Sequence, residues 1–212
     1  MDAVDWDRRY AEIAPDEAAA GQPLEPNRFV VAELAELPPG RAYDMACGGG
    51  RNAIWLAARG WQVDAADFSA AGLRLAQTRA SAQLGTAGDR IHWLLADVTE
   101  TGPAAGRFDL VLLAYLQLPA EQRRQAIRAA ANGLAPGGTL LVVAHDSSNL
   151  ADGIGGPQDP AVLYAAEDVL LDLAELPGLR VVRAERTARP AEVDGRSGTA
   201  WDALVRVERD AG

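Results

Sequence analysis

The stretch DMACGGGRNAIWLA, residues 44–57, constrains this chain more than any other part of it. Before it, Arg41, Ala42 and Tyr43 can begin a short strand. After it, Ala53, Ile54, Leu56, Ala57 and Ala58 fall on one apolar helical face. Between them stand three consecutive glycines, Gly48, Gly49 and Gly50. Residues without a Cβ turn tightly through positive φ and leave room beside the backbone for a ligand. The unit therefore reads strand, glycine turn, helix N-terminus, with free N–H groups facing the loop. A turn of this shape binds nucleotide-like cofactors.

Two fingerprints overlap here. As G-x-G-x-x-A, Gly48, Gly50 and Ala53 fit a dinucleotide turn, with Asp67 or Asp64 downstream as the ribose acid. As acid-x-small-x-G-x-G, Asp44, Ala46, Gly48 and Gly50 resemble motif I of class I S-adenosylmethionine-dependent methyltransferases, in which the acid closes the first strand. Asp44 separates the two readings. A dinucleotide turn has glycine or a small apolar residue there, whereas a carboxylate suits a cofactor that carries an ammonium and a sulfonium. The resemblance implies that Asp44, Ala46, Cys47, Gly48, Gly50, Asn52, Phe68 and Leu113 surround S-adenosylmethionine.

The downstream chain follows the same pattern. Residues 61–66 form a second strand ending at Asp67, whose carboxylate can accept both ribose hydroxyls; Asp64, inside the strand, is the weaker candidate. Ser69 caps a helix to about Leu84, with Leu73, Leu75, Ala76 and Ala80 inward. Residues 91–96 form a third strand with a structural His92, ending at Asp97-Val98. This pair resembles the family's adenine-edge contact, Asp97 accepting from the exocyclic amine and Val98 donating its N–H. Residues 107–113 form a fourth strand whose run Leu110 to Leu113 is apolar throughout, as in a buried parallel strand. The loop 115–119 after it forms, by the resemblance, a wall beside the transferable methyl, which brings in Tyr115. It lacks the N-P-P-Y type motif of amino-group DNA methyltransferases. Leu134-Ala135-Pro136-Gly137-Gly138 turns into a fifth strand, 139–144, and this L-x-P-G-G turn is a further methyltransferase resemblance.

At the other end of the chain, Trp6, Tyr10 and Ile13 lie at helical spacing. The WDRRY string resembles the segment that closes over the cofactor in methyltransferases of the tellurite-resistance and thiopurine type; as a plain aromatic stripe it anchors a terminal helix instead. Residues 16–26 read as a loop. Pro26 stands near the start of a helix carrying Val30, Val31, Leu34 and Leu37. Asn27 and Arg28 at its start are expected to be solvated, with Arg28 also able to reach the carboxylate of a bound amino-acid moiety. Beyond the fifth strand, His145 and Asp146 sit at a carboxyl edge, where open α/β sheets place ligands. Residues 147–160 are a long glycine-rich loop, read as a substrate lid. A helix over 165–176 and two alternating strands, 179–187 and 200–207, joined by a polar turn, close the chain.

No Pro/Gly/Ser linker divides the 212 residues, so one domain is expected: an N-terminal helical cap (1–37), a cofactor-binding core (41–146), the lid (147–160) and a C-terminal helix with a β-hairpin (161–212). The fold class is α/β, a doubly wound, mostly parallel seven-stranded sheet whose last strands are antiparallel. With apolar residues at 49% and no run near the length of a membrane span, no signal-peptide features and a single cysteine, Cys47, a cytoplasmic protein off membranes is expected. A net charge of −10 disfavours a polyanionic substrate, so no nucleic acid is expected as a partner.

The function expected is methyl transfer from S-adenosylmethionine to a small-molecule acceptor by in-line displacement, in a monomer or homodimer. Positioning supplies most of the rate, and no metal or covalent nucleophile is required. A thiol, selenium or tellurium acceptor needs no strong base, while a hydroxyl or amine would use His145 or Asp146. The alternatives are an NAD(P)-dependent oxidoreductase built on the same turn and a non-catalytic cofactor-binding protein.

Overall fold

In the computed structural model of the chain, residues 3–12 and 25–212 are described. Ile13 and most of the loop expected over 16–26 lie outside them. The chain divides into two compact units, Met1–Thr101 and Gly102–Gly212.

The first unit runs α1 (Ala3–Ala11), α2 (Arg28–Leu34), β1 (Arg41–Met45), α3 (Arg51–Ala58), β2 (Gln62–Asp67), α4 (Ala70–Leu84), a 3-10 turn (Gly85–Arg90) and β3 (Ile91–Leu95). The second runs β4 (Phe108–Ala114), α5 (Ala120–Gly133), β5 (Leu134–His145), the short α6 (Asn149–Asp152), α7 (Ala166–Leu173), β6 (Leu179–Val193) and β7 (Arg196–Arg209). The strands make one seven-stranded sheet in the order β3-β2-β1-β4-β5-β7-β6. β2 pairs in parallel with β1 and β3, β4 pairs in parallel with β5, and β7 runs antiparallel to both β5 and β6. This is the doubly wound, mostly parallel sheet with an antiparallel closing hairpin that the alternation of strands and helices implies.

The elements form for local reasons. Leu110, Val111, Leu112 and Leu113 are all buried, as a central strand covered on both faces requires. Ser69 caps α4 by accepting from the Gly72 N–H at 3.0 Å, and Leu73, Leu75, Ala76 and Ala80 turn inward. In the second unit, α5 and α7 are joined by a buried ion pair, Arg123 Nε to Asp172 Oδ2 at 2.7 Å.

Three expectations change. Asn27 is buried rather than solvated: its side chain caps α2 by accepting from the Phe29 N–H, and its own N–H donates to Asn52 Oδ1 at 2.9 Å. The closing hairpin is longer than 179–187 and 200–207, pairing on to Val193 opposite Arg196 with one register shift between Val181 and Arg183. Asp194 and Gly195, both at positive φ (50° and 74°), make the two-residue turn, the Asp-Gly signal of a tight hairpin. The glycine-rich segment 147–160 is tied down rather than left as a free loop. Asn149 accepts from the Trp201 N–H and donates to the Gly155 carbonyl, each at 2.8 Å, and the Ile154 N–H donates to Thr199 O.

Candidate functional site

In the first unit the glycine turn obeys a strict alternation. Ala46, Gly48 and Gly50 have φ of 59°, 55° and 81°, so every second residue from Asp44 onward is left-handed. The acid-x-small-x-G-x-G pattern is thus a backbone requirement: glycine enters the left-handed region freely, and alanine is among the smallest side chains that can be forced there at a cost of about 1 kcal/mol. The two glycines are also needed for space. A Cβ on Gly50 would lie 2.8 Å from Ala76 Cβ and 3.0 Å from the Trp93 ring, and one on Gly48 would overlap the Tyr10 hydroxyl.

Two carboxylates flank this turn in opposite states of satisfaction. Asp67, at the end of β2, accepts from the Gly48 N–H through Oδ2 and from the Ser69 N–H through Oδ1, each at 2.8 Å. It therefore stitches the turn to the start of α4, and each oxygen keeps a second lone pair. Burial raises its pKa above the ordinary carboxylate value, and the two N–H donors act against that. Asp44, at the end of β1, is 1% exposed and held by the Ala53 N–H, but its Oδ2 is buried with no hydrogen-bond partner among the described residues. Burial, reinforced by the charge of Asp67, pushes its pKa up to about 7. A buried anionic acceptor left unmet is costly and calls for a cation. Cys47, also buried, has its thiol pushed well up by burial and by both carboxylates, so it is no thiolate nucleophile.

Helix α1 covers the turn. Tyr10 lies against Gly48 and Gly72 and stacks on Trp6 with ring centroids 5.6 Å apart. Burial and the charge of Asp67 raise the Tyr10 phenol strongly, keeping it protonated. What docks this helix is Asp7, a residue sequence reasoning passed over. Its Oδ1 accepts from Ser69 Oγ at 2.6 Å and from the Ala71 N–H at 3.0 Å, a carboxylate at the N-terminus of α4.

The other expected cofactor residues are placed as follows. Phe68 is half-buried at the β2–α4 turn, and Val98 is buried just past β3. Asp97 is half-buried and accepts from the Thr99 N–H and hydroxyl at 2.8 and 2.7 Å. The structure therefore gathers Tyr10, Asp44, Ala46, Cys47, Gly48, Gly50 and Asp67 about one turn. Asn52 spends Oδ1 on α2, and Arg28 is exposed over the Phe29 ring at 5.7 Å. Asp64 faces the exposed His92 at 3.4 Å instead of the turn.

The second unit holds a separate polar cluster at the end of β5. Tyr115, just after β4, has φ of 64°, and its ring lies 4.6 Å from that of His145. Its hydroxyl donates to Asp202 Oδ2 at 3.0 Å, and Arg189 Nε donates to the same oxygen at 2.8 Å. His145 Nδ1 stands 3.4 Å from Asp202 Oδ1. Asp202, fully buried on β7 opposite His145, thus gathers three donors, which hold its carboxyl below the usual range despite burial. Neither Asp202 nor Arg189 was singled out from sequence; the only signal was a lone acid inside the apolar run WDALV. Asp146 does not join the cluster: its Oδ1 accepts from the Ser148 N–H and hydroxyl at 2.9 and 2.6 Å. Leu113 is buried inside β4.

Comparison with known proteins agrees with the turn. Residues 42–138 match a family model described as a methyltransferase domain. Those residues are similar to a methyltransferase domain, and the fold around them is shared with solved methyltransferases. It is 37% identical over 115 residues to the ribosomal RNA small subunit methyltransferase C of Alcanivorax borkumensis, covering 50% of this chain and 33% of that protein. The chain spans between a third and about half of the length of the curated relatives it matches. Among solved structures, the N-methyltransferase NodS of Bradyrhizobium japonicum in complex with S-adenosyl-L-homocysteine aligns with a TM-score of 0.67 at 20% identity, over 97% of this chain and 96% of that one. TehB from Haemophilus influenzae aligns at 0.68 with 16% identity, over 87% and 62%. Methyltransferase domains of this fold use S-adenosylmethionine, and the residues fit it: Asp44 Oδ2 is a buried acceptor without a hydrogen-bond partner among the described residues, at a turn that is left-handed at 46, 48 and 50. Among the described residues no helix is long and apolar enough to cross a membrane.

Proposed function

We propose that this protein transfers a methyl group from S-adenosylmethionine to a small-molecule acceptor. The observation that carries the reading is Asp44, whose buried Oδ2 has no hydrogen-bond partner among the described residues, at the mouth of a turn that is left-handed at 46, 48 and 50. The ammonium of the methionyl moiety is the partner that carboxylate lacks. Asp67 offers its remaining lone pairs to the ribose hydroxyls, Asp97 and Val98 take the adenine edge, and Trp6 and Tyr10 on α1 close the turn. Bound there, the cofactor supplies an electrophilic methyl on a sulfonium. The protein's own part is to orient the reactants, exclude water and, at His145, receive a proton if the acceptor carries one.

A small acceptor is favoured over a nucleic acid by the net charge of −10, because affinity for a polyanion rests on neutralising phosphates. The relative that acts on ribosomal RNA shares only half of this chain. Calorimetric titration with S-adenosylhomocysteine and with NADH tests the reading. Binding of the first and not the second is expected; binding of NADH alone would point to an oxidoreductase on the same turn. Binding without turnover over a broad acceptor panel would leave a non-catalytic cofactor-binding protein.

A further inference from the structure

His145 Nδ1 and Asp202 Oδ1 are both buried, and neither has a hydrogen-bond partner elsewhere among the described residues. They face each other at 3.4 Å. Asp202 already accepts from Tyr115 and Arg189 on its other oxygen. Surrounded by donors it stays ionised, so it has no proton to give, and the proton shared across the gap belongs to Nδ1. That fixes the neutral imidazole as the Nδ1–H tautomer with its lone pair at Nε2. The ring is held in place on all sides. Its face lies on Tyr115, the backbone N–H of His145 donates to Gln117 Oε1 at 2.9 Å, and a Cβ on Gly156 would come within 3.0 Å of Nδ1. Tyr115 itself is kept in a left-handed conformation, strain that the bond to Asp202 helps to hold.

We propose that Asp202 is a positioning residue that aligns His145 as a general base, and that the methyl acceptor is therefore a group that must shed a proton, a hydroxyl or an amine. The inference rests on the methyltransferase reading above. A thiol ionises near neutrality unaided and a tellurium or selenium anion carries no proton to lose, so neither gives a buried carboxylate–imidazole pair anything to do. A phenol or alcohol keeps its proton to a pH of about 10 or above. As the acceptor oxygen or nitrogen forms its bond to the methyl carbon, the carbon–sulfur bond breaks with its electron pair returning to sulfur. The O–H or N–H proton passes to Nε2, and the imidazolium so formed is stabilised by Asp202. Arg189 keeps Asp202 charged throughout, because its guanidinium sits on the oxygen that does not face His145.

The first measurement needs no variant. Two-bond proton–nitrogen correlation spectra of protein labelled at histidine nitrogen report the tautomer directly. The Nδ1–H form of His145 is expected, and a predominant Nε2–H form would overturn the alignment. The second measurement uses a panel of phenols, alcohols, amines and thiols with S-adenosylmethionine. Turnover of a hydroxyl or amine acceptor is expected, with Asp202→Asn lowering kcat about 100-fold or more at unchanged KM and unchanged S-adenosylhomocysteine affinity, and shifting the His145 tautomer. His145→Ala should cost as much, and the double variant no more, since the two act as a unit. Turnover of thiols alone, or equal kcat in Asp202→Asn, would overturn the proposal. Failure of the wild-type protein to bind S-adenosylhomocysteine would instead overturn the reading it rests on.

Discussion

Asp44→Asn separates the cost of the cofactor turn from its use. Asp44 is 1% exposed and takes up a proton near pH 7, whereas an unfolded aspartate does so near its ordinary value of 3.8. Because the folded value is the higher one, the unfolded chain loses its proton first as pH rises. Stability is therefore lost progressively between about 4 and about 7 and stays lost above. At about 1.4 kcal/mol for each pH unit, the charged carboxylate costs the free protein about 4 kcal/mol at pH 8.5. Asparagine keeps an oxygen for the Ala53 N–H but places its NH2 where Oδ2 has no partner, returning about 1–2 kcal/mol of that gain. The variant should be more stable than wild type by about 2–3 kcal/mol at pH 8.5, a rise of about 5–10 °C in Tm, and by only about 1 kcal/mol or less at pH 5.5, where about half of that loss has built up. It should also bind S-adenosylhomocysteine about 30- to 1,000-fold more weakly, since the ligand's ammonium loses a buried counter-charge. Thermal melts at the two pH values and a calorimetric titration at pH 8 measure both effects. A variant that melts with wild type at pH 8.5, or binds the ligand as well as wild type does, would refute the assignment of Asp44 as an ionised cofactor ligand held at the expense of stability.

Three further outcomes follow from other contacts. Asp67→Asn should weaken S-adenosylhomocysteine binding by about 1.5–3 kcal/mol and also lower Tm, because an amide cannot accept the Gly48 and Ser69 N–H donors with both of its groups; calorimetry and melting are read on one sample. Gly48→Ala should release α1 before it unfolds the unit, since the new Cβ overlaps the Tyr10 hydroxyl at a φ of 55°. Faster proteolytic cleavage near the N-terminus with a Tm loss of only about 1–2 kcal/mol equivalent is the expected result. Arg123→Met should destabilise the chain by about 2–4 kcal/mol in denaturant melts by stranding Asp172, which keeps only Arg124 Nε at 3.3 Å. Adding Asp172→Leu should recover most of the loss.

What the sequence determined by itself was local in origin. The left-handed positions 46, 48 and 50 are dictated by which residues tolerate positive φ, so the turn was legible from its glycines and the small residue before them. The Ser69 cap, the buried run of β4 and the order of strands and helices followed from patterns within a few residues. The Asp194-Gly195 turn was written just as locally and would have fixed the hairpin's length had its two-residue signal been read. The rest depended on register and packing. Asp202 meets His145 only because β7 pairs antiparallel to β5 with those two residues opposite, and a one-residue slip would turn Asp202 to the other face. Asp7 reaches the start of α4 from far away in sequence, and Asp146, beside His145 in the chain, turns to Ser148 instead. The missing partner of Asp44 Oδ2 is likewise a property of the finished core. A sequence states which carboxylates are present, but whether one is satisfied, paired or left waiting is decided by donors that arrive from distant segments once burial has removed water.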